Sequence, residues 1–284
     1  MLSIDERGNT MKRMMTTGIA AAIGAATIAG FFYLTRTPPA PVTTAAAPTE
    51  PAQAAQRPAA PAILYPIPEA ETAQLPALDN SDQTLRDALV NYFGRQSVQQ
   101  LFGLDSIVRH VVVTIDNLPR ETVATRLLPT KPVQGAFLVN NTGNEPTIAT
   151  ANAARYAPYV ELARRTDAAQ LGKMYASFYP LFQTAYVELG YPNGYFNDRL
   201  VEVVDHLLTA PTSDGPVRLT QPHILYKFAD PQLEKASAGH KIMLRMGAQN
   251  ALEVKAKLRE IRAELVRGAA STSTSPSTPI PAPQ

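Results

Sequence analysis

Between Ile107 and Leu118 the chain reads IVRHVVVTIDNL, with apolar residues at Ile107, Val108, Val111, Val112, Ile115 and Leu118. That spacing has the 3.6-residue period of a helix and not the two-residue alternation of a strand. It predicts a buried helix even though valine and isoleucine favour strands. The same approach gives a mainly α protein. Ser81 is placed to cap a helix running to Phe93 and stopped by Gly94, and Ser97 to start a short one ending near Gly103. Tyr159 to Leu189 is helical in pattern, with a break or kink expected at Pro180 and a stop at Gly190-Tyr191-Pro192. Asp230-Pro231 opens a helix expected to end at Gly247, and Ala248 to Val266 carries Val254, Leu258, Ile261 and Leu265 at seam spacing. One segment reads as a hairpin: Ala136 to Val139, a turn over Asn140 to Asn144, then Thr147 to Thr150. Pro216 to Phe228 reads as extended or irregular. The expectation is a single helical domain over 69–268 with one small β-hairpin.

Ahead of that domain, Met14 to Leu34 is an uncharged 21-residue run flanked by Lys12 and Arg13 on one side and Arg36 on the other. As a helix it reaches about 30 Å, the hydrocarbon thickness of a bilayer. It reads as a transmembrane signal anchor. The rival, a cleaved signal peptide, lacks a small-x-small site directly after the apolar run, where Leu34-Thr35-Arg36-Thr37-Pro38 stands. The basic bias puts residues 1–13 in the cytoplasm and the body in the periplasm, making a single-pass inner-membrane protein. Ala22, Ala26 and Gly30 have the small-xxx-small spacing that lets spans approach, a pattern that a segment so rich in Ala and Gly also holds by chance. Residues 35–68 contain nine prolines and read as a disordered Pro/Ala-rich linker. In an extended form it reaches on the order of 100 Å. Residues 269–284 read as a second disordered tail.

Composition narrows the chemistry. With no cysteine, disulfides, thiol catalysis and Cys-ligated metals are excluded. Residues 69–268 carry 21 Lys plus Arg against 21 Asp plus Glu, a balance without the basic footprint of a nucleic-acid binder. The densest cluster of polar chemistry is YFNDRLVEVVDHLL, Tyr195 to Leu208. On a helical wheel Leu200, Val201, Val203, Val204, Leu207 and Leu208 share an arc of about 160°, with Asp198, Arg199, Glu202, Asp205 and His206 opposite. Asn197 fits an N-cap, Asp198 the first turn, and Glu202 reaches either Arg199 or His206, which together describe an amphipathic helix with a solvated face. Glu202 and His206 amount to half a metal site, but zinc takes three protein ligands and no second cluster accompanies them. His110, His206, His223 and His240 lie in separate elements. Serine-nucleophile motifs and Gly-rich phosphate loops are missing from the sequence, so no cofactor is expected. Asp116-Asn117-Leu118-Pro119-Arg120 either ends a helix or presents Asp116 and Arg120 to a partner. Seven tyrosines between Tyr156 and Tyr195 suit a core with polar rims or a groove for glycan or peptide. The candidate interaction face is therefore Asp116, Arg120, Tyr195, Arg199, Glu202 and His206.

Six stretches together resemble the bacterial family known as domain of unknown function 3014: LPALDNSD from Leu75, VVVTIDNLPR from Val111, RYAPYV from Arg155, ELGYPNGYFNDRLVEVVDHLL from Glu188, GPVRLTQPHILYKFADPQLE from Gly215, and SAGHKIMLRMGAQNALEVKAKLRE from Ser237. The resemblance covers about Leu75 to Leu265. It implies a membrane-anchored envelope protein with an N-terminal span and a Pro-rich linker, and it implies no activity. The resulting expectation is a periplasmic domain that binds an envelope protein or cell-wall material. The rival is a hydrolase of wall glycan or peptide using acids from Asp116, Asp198, Glu202 and Asp205. Homodimerisation through the anchor and the last helix is a third reading.

Overall fold

The computed structural model describes residues 62–67, 75–141, 145–213 and 215–272. Residues 1–13, the span expected at 14–34, most of the 35–68 linker and the tail beyond Thr272 lie outside these. Among the described residues no helix is long and apolar enough to cross a membrane. The same residues form nine α-helices: α1 Asp82–Phe93, α2 Arg95–Leu101, α3 Ile107–Asn117, α4 Asn152–Arg165, α5 Ala168–Glu188, α6 Phe196–Leu208, α7 Pro231–Glu234, α8 Ala238–Arg245 and α9 Ala248–Thr272.

The period of 107–118 prevails over the strand preference of its valines. In α3, Ile107, Val108 and Val112 are buried on one side, together with Asp116. The stop after α1 is Gly94 at φ +83°, a backbone conformation that only glycine adopts without strain. Ser81 does not cap α1 as expected, because its hydroxyl donates to the Leu78 carbonyl at 2.7 Å. The break expected at Pro180 falls elsewhere. Thr166 is extended, and Asp167 starts α5 by accepting the Gln170 amide at 2.9 Å. α5 then runs through Pro180 unbroken, since the burial of Tyr179, Leu181, Phe182, Ala185 and Tyr186 around the proline offsets the one hydrogen bond it cannot make. Asp230 to Gly247 likewise divides in two, because Ser237 accepts the His240 amide at 3.1 Å and starts a new helix. The last helix runs to Thr272, beyond the Val266 end expected for it.

Two hairpins form where one was expected. β1 (Val139–Asn140) pairs antiparallel with β2 (Thr147–Ile148), in register Val139 with Ile148. β3 (Leu219–Thr220) pairs antiparallel with β4 (Lys227–Phe228) inside the stretch read as irregular. A bridge between Thr147 and Arg218 joins the two ribbons. Their inner residues Leu219 and Phe228 close over Leu244 of α8.

Helix α9 lies along α4, α5 and α6, and α3 packs on α5 and α6. The largest core cluster joins Leu85, Val98, Val108 and Val112 to Phe182, Tyr186 and Phe196. A second joins Tyr156 and Val160 to Met243, Met246 and Ala251. Val201 and Val204 of α6 meet Leu265 of α9 in a third. Helix α6 thus stands between the main cluster and α9, which places its polar residues against other elements.

Candidate functional site

Of the polar residues on α6, only Glu202 is exposed, so the side opposite the apolar arc is not the solvated face that the wheel predicts. Each of the others meets a different part of the protein. Asp205 forms a bidentate pair with Arg262 of α9. Arg199 reaches α3, His206 reaches α8, and Asp198 holds residues 62–67. Asn197 does not cap the helix. It lies inside α6, fully buried, and its Nδ2 donates to the carbonyls of Tyr65 at 2.8 Å and Leu265 at 3.2 Å. Its Oδ1 is buried without a partner among the described residues.

Asp116 sits in the last turn of α3, the end of a helix at which a carboxylate is electrostatically disfavoured. It is 3% exposed. Two arginines and a tyrosine make that position tenable. Arg199 Nε donates to Oδ1 at 3.1 Å, Arg120 to Oδ2 at 2.6 Å, and the Tyr191 hydroxyl to Oδ2 at 3.1 Å. Arg199 also donates to the Asp116 carbonyl at 2.9 Å, capping the C-terminus of α3. Burial alone lowers the affinity of Arg199 for its proton. The hydrogen bond and charge of Glu202, with the charge of Asp116, outweigh this and raise its pKa. Asp116 is turned inward and is not offered by a loop, whereas Arg120 and Glu202 remain 56% and 67% exposed.

His206 lies away from this group, at the other end of α6. Its ring stacks on that of His240 at 4.1 Å with 6° between the planes. His240 Nε2 is 2.8 Å from the His206 carbonyl, which only accepts, so His240 carries a proton on Nε2. The Ser237 hydroxyl, which accepts the His240 amide, lies 2.8 Å from His206 Nε2. Burial first, then His240 and Arg199, hold His206 below the usual imidazole range, with Glu202 opposing. A histidine with a depressed folded pKa binds its proton more readily when unfolded. Its contribution to stability is therefore present above about pH 6.5 and is lost as pH falls through and below that value. The urea midpoint should fall between about pH 7.5 and about pH 5.5. That slope should shrink in His206→Gln, and an unchanged slope would remove His206 from the account.

Tyr195, the remaining candidate, lines a groove of about 500 Å³ with Tyr65, Tyr186, Asn193, Gly194, Asp198, Arg199 and Glu202. Gly194 forms part of its floor. A Cβ there would stand 2.7 Å from the Tyr186 ring, so any larger residue would have to displace that ring. Residues 62–67 form one wall of this groove, a strap that bends at Leu64 and Tyr65. The amides of Leu64 and Tyr65 donate to the two Asp198 oxygens at 2.9 and 2.8 Å, and the amide of Ile67 to the Tyr195 hydroxyl at 2.8 Å. The sequence assigned these residues to the linker. No local signal marks the contact, because its partners are separated by more than 120 positions.

The structure thus gathers Asp116, Arg120, Arg199 and Glu202, adds Tyr191, which sequence reasoning had not singled out among the tyrosines, and separates His206 from them. Comparison with known families gives one match, to a family described as "Protein of unknown function (DUF3014)", over residues 107–262. The chain belongs to the DUF3014 family. The match takes in α3 through most of α9 and so includes Asp116, the groove and the His206–His240 pair, while the strap precedes it. No curated protein and no solved structure matches this DUF3014 chain. Among the described residues no group of three or more His, Asp or Glu is placed to hold a metal ion.

Proposed function

We propose that this protein is a single-pass inner-membrane protein whose helical domain stands in the periplasm and binds an envelope partner, a protein in preference to cell-wall glycan. The observation that carries this reading is the start of α6, where side chains hold a separate segment of chain by its main-chain amides and carbonyl. Main-chain recognition of an extended segment is a general mode of peptide binding. The uncharged stretch at 14–34 and the Pro-rich linker support the location. In-cell crosslinking of the intact protein, run beside a version whose 14–34 segment is replaced by an unrelated anchor, should return the same protein partner from both. Loss of the partner on replacement would move recognition to the anchor, and no partner in either would remove support for the reading.

The hydrolase reading keeps one favourable observation, since Asp198, Glu202 and Asp205 border the same groove as Tyr65, Tyr186 and Tyr195. Three of the four candidate acids already accept from fixed donors on both oxygens: Asp116 from arginines, Asp198 from strap amides and Asp205 from Arg262. Glu202 alone is largely exposed, and it is paired to Arg199 at 2.9 Å. Digestion of purified wall material by the intact protein, abolished in Glu202→Gln, is the result this second reading requires.

A further inference from the structure

We infer that the seat of residues 62–67 at the start of α6 is a site for a peptide of the form Tyr-Pro-aliphatic, and that the strap is its intramolecular occupant, displaced when a partner protein offers the same chemistry. The inference rests on the reading of this domain as a binding module and names the chemistry of the partner. The strap is held by three side chains within four residues of chain, Tyr195, Asn197 and Asp198. All of their bonds go to main-chain groups, so they are indifferent to which chain supplies the segment.

Selectivity comes from the side chains that point inward. Tyr65 packs with Val201 and Leu265. Its hydroxyl also reaches Arg262, whose pKa is raised first by Asp205 and to a lesser degree by Tyr65. Ile67 packs on the main core cluster. Ile63 and Leu64, by contrast, are 53% and 64% exposed, so the groove does not read them. The amides it uses are those of residues 64, 65 and 67. The one skipped is Pro66, which has no N–H to give and whose ring fixes φ.

One feature marks the strap as an incomplete ligand. Open space continues beside it, bordered by Ala62, Leu64, Asn193 and Glu202. A partner segment that extends along that space makes contacts the strap does not and outcompetes it, although the strap is always at hand.

The test uses the full chain and a fluorescent, end-blocked hexapeptide Ala-Ile-Leu-Tyr-Pro-Ile. In the double variant Leu64→Pro, Ile67→Pro, two of the strap's three amide donors are gone. An occupied site weakens apparent affinity by the fraction that is free, so the peptide should bind this variant at least about ten-fold more tightly than the wild type. Adding Asp198→Ala to the variant, or replacing the peptide's tyrosine by alanine, should abolish binding. No saturable binding to the strap variant, or equal binding with and without Asp198, overturns the inference. If the variant does not unfold cooperatively, hydrogen exchange decides instead. Excess peptide should deprotect the Leu64, Tyr65 and Ile67 amides of the wild-type chain, and unchanged protection overturns the inference. A failed peptide titration alongside a crosslinked partner would sink this inference and leave the binding reading standing.

Discussion

Replacing Asp116 by Ala is expected to destabilise the domain by about 2–3 kcal/mol, the cost of losing charge-assisted hydrogen bonds to a buried carboxylate. The stranded group is chiefly Arg199, whose side chain is 19% exposed and which otherwise keeps only Glu202 and a carbonyl. Arg120 is more than half exposed and regains water, so it adds little. The loss is felt in two places, because Arg199 also caps α3 and shapes the groove. Equilibrium urea unfolding checks this, with Glu202→Ala beside it. Glu202 is exposed and should change stability by no more than about 0.5 kcal/mol. A loss below about 1 kcal/mol for Asp116→Ala would mean that the carboxylate contributes no more than a surface pair.

The second large effect is expected at Phe196, the first residue of α6 and 1% exposed. Its ring stacks on Phe182 at 5.9 Å and tilts against Tyr186 at 5.5 Å, so it closes the main cluster beneath the groove. Phe196→Ala removes a buried ring that its helical neighbours cannot close over, with an expected cost of about 3–5 kcal/mol. Because Phe196 also fixes the first turn, from which Asn197 and Asp198 hold the strap, the variant should lose protection at the Tyr65 amide along with stability. Phe196→Leu, which refills most of the volume, should cost about half as much and keep the strap in place. Urea unfolding with hydrogen exchange measures both. Stability falling while the Tyr65 amide stays protected would separate the strap from the core.

The sequence revealed most where local signals and packing agreed. The period of α3, the Gly94 stop and the Asp230-Pro231 start each rest on residues within one or two turns of one another. Pro180 misled because a proline's local penalty is fixed while the burial around it is not, and five buried residues of α5 held the helix together. The true break was legible after all. Asp167 followed three residues later by Gln170 is a capping pattern, and Ser237 before α8 is another helix start. The wheel of α6 separated polar from apolar residues correctly, but polarity does not distinguish contact with water from contact with other polar groups. The partners of Arg199 and Asp198 lie 83 and more than 130 positions away, and no window along the chain contains both members of either pair. Asp116 did carry one hint, a carboxylate in the last turn of a helix, where only a cation makes it stable.

A photo-crosslinking residue at Asn193 shows whether the groove at the start of α6 meets a partner protein in the cell. Asn193 is exposed and lines the groove, and Lys173, exposed on α5 and not part of the groove lining, serves as the control position. A discrete protein adduct is expected from position 193, absent from position 173 and lost in Asp198→Ala. Adducts of equal yield from both positions, or none from position 193 in cells that express the intact chain, would contradict it.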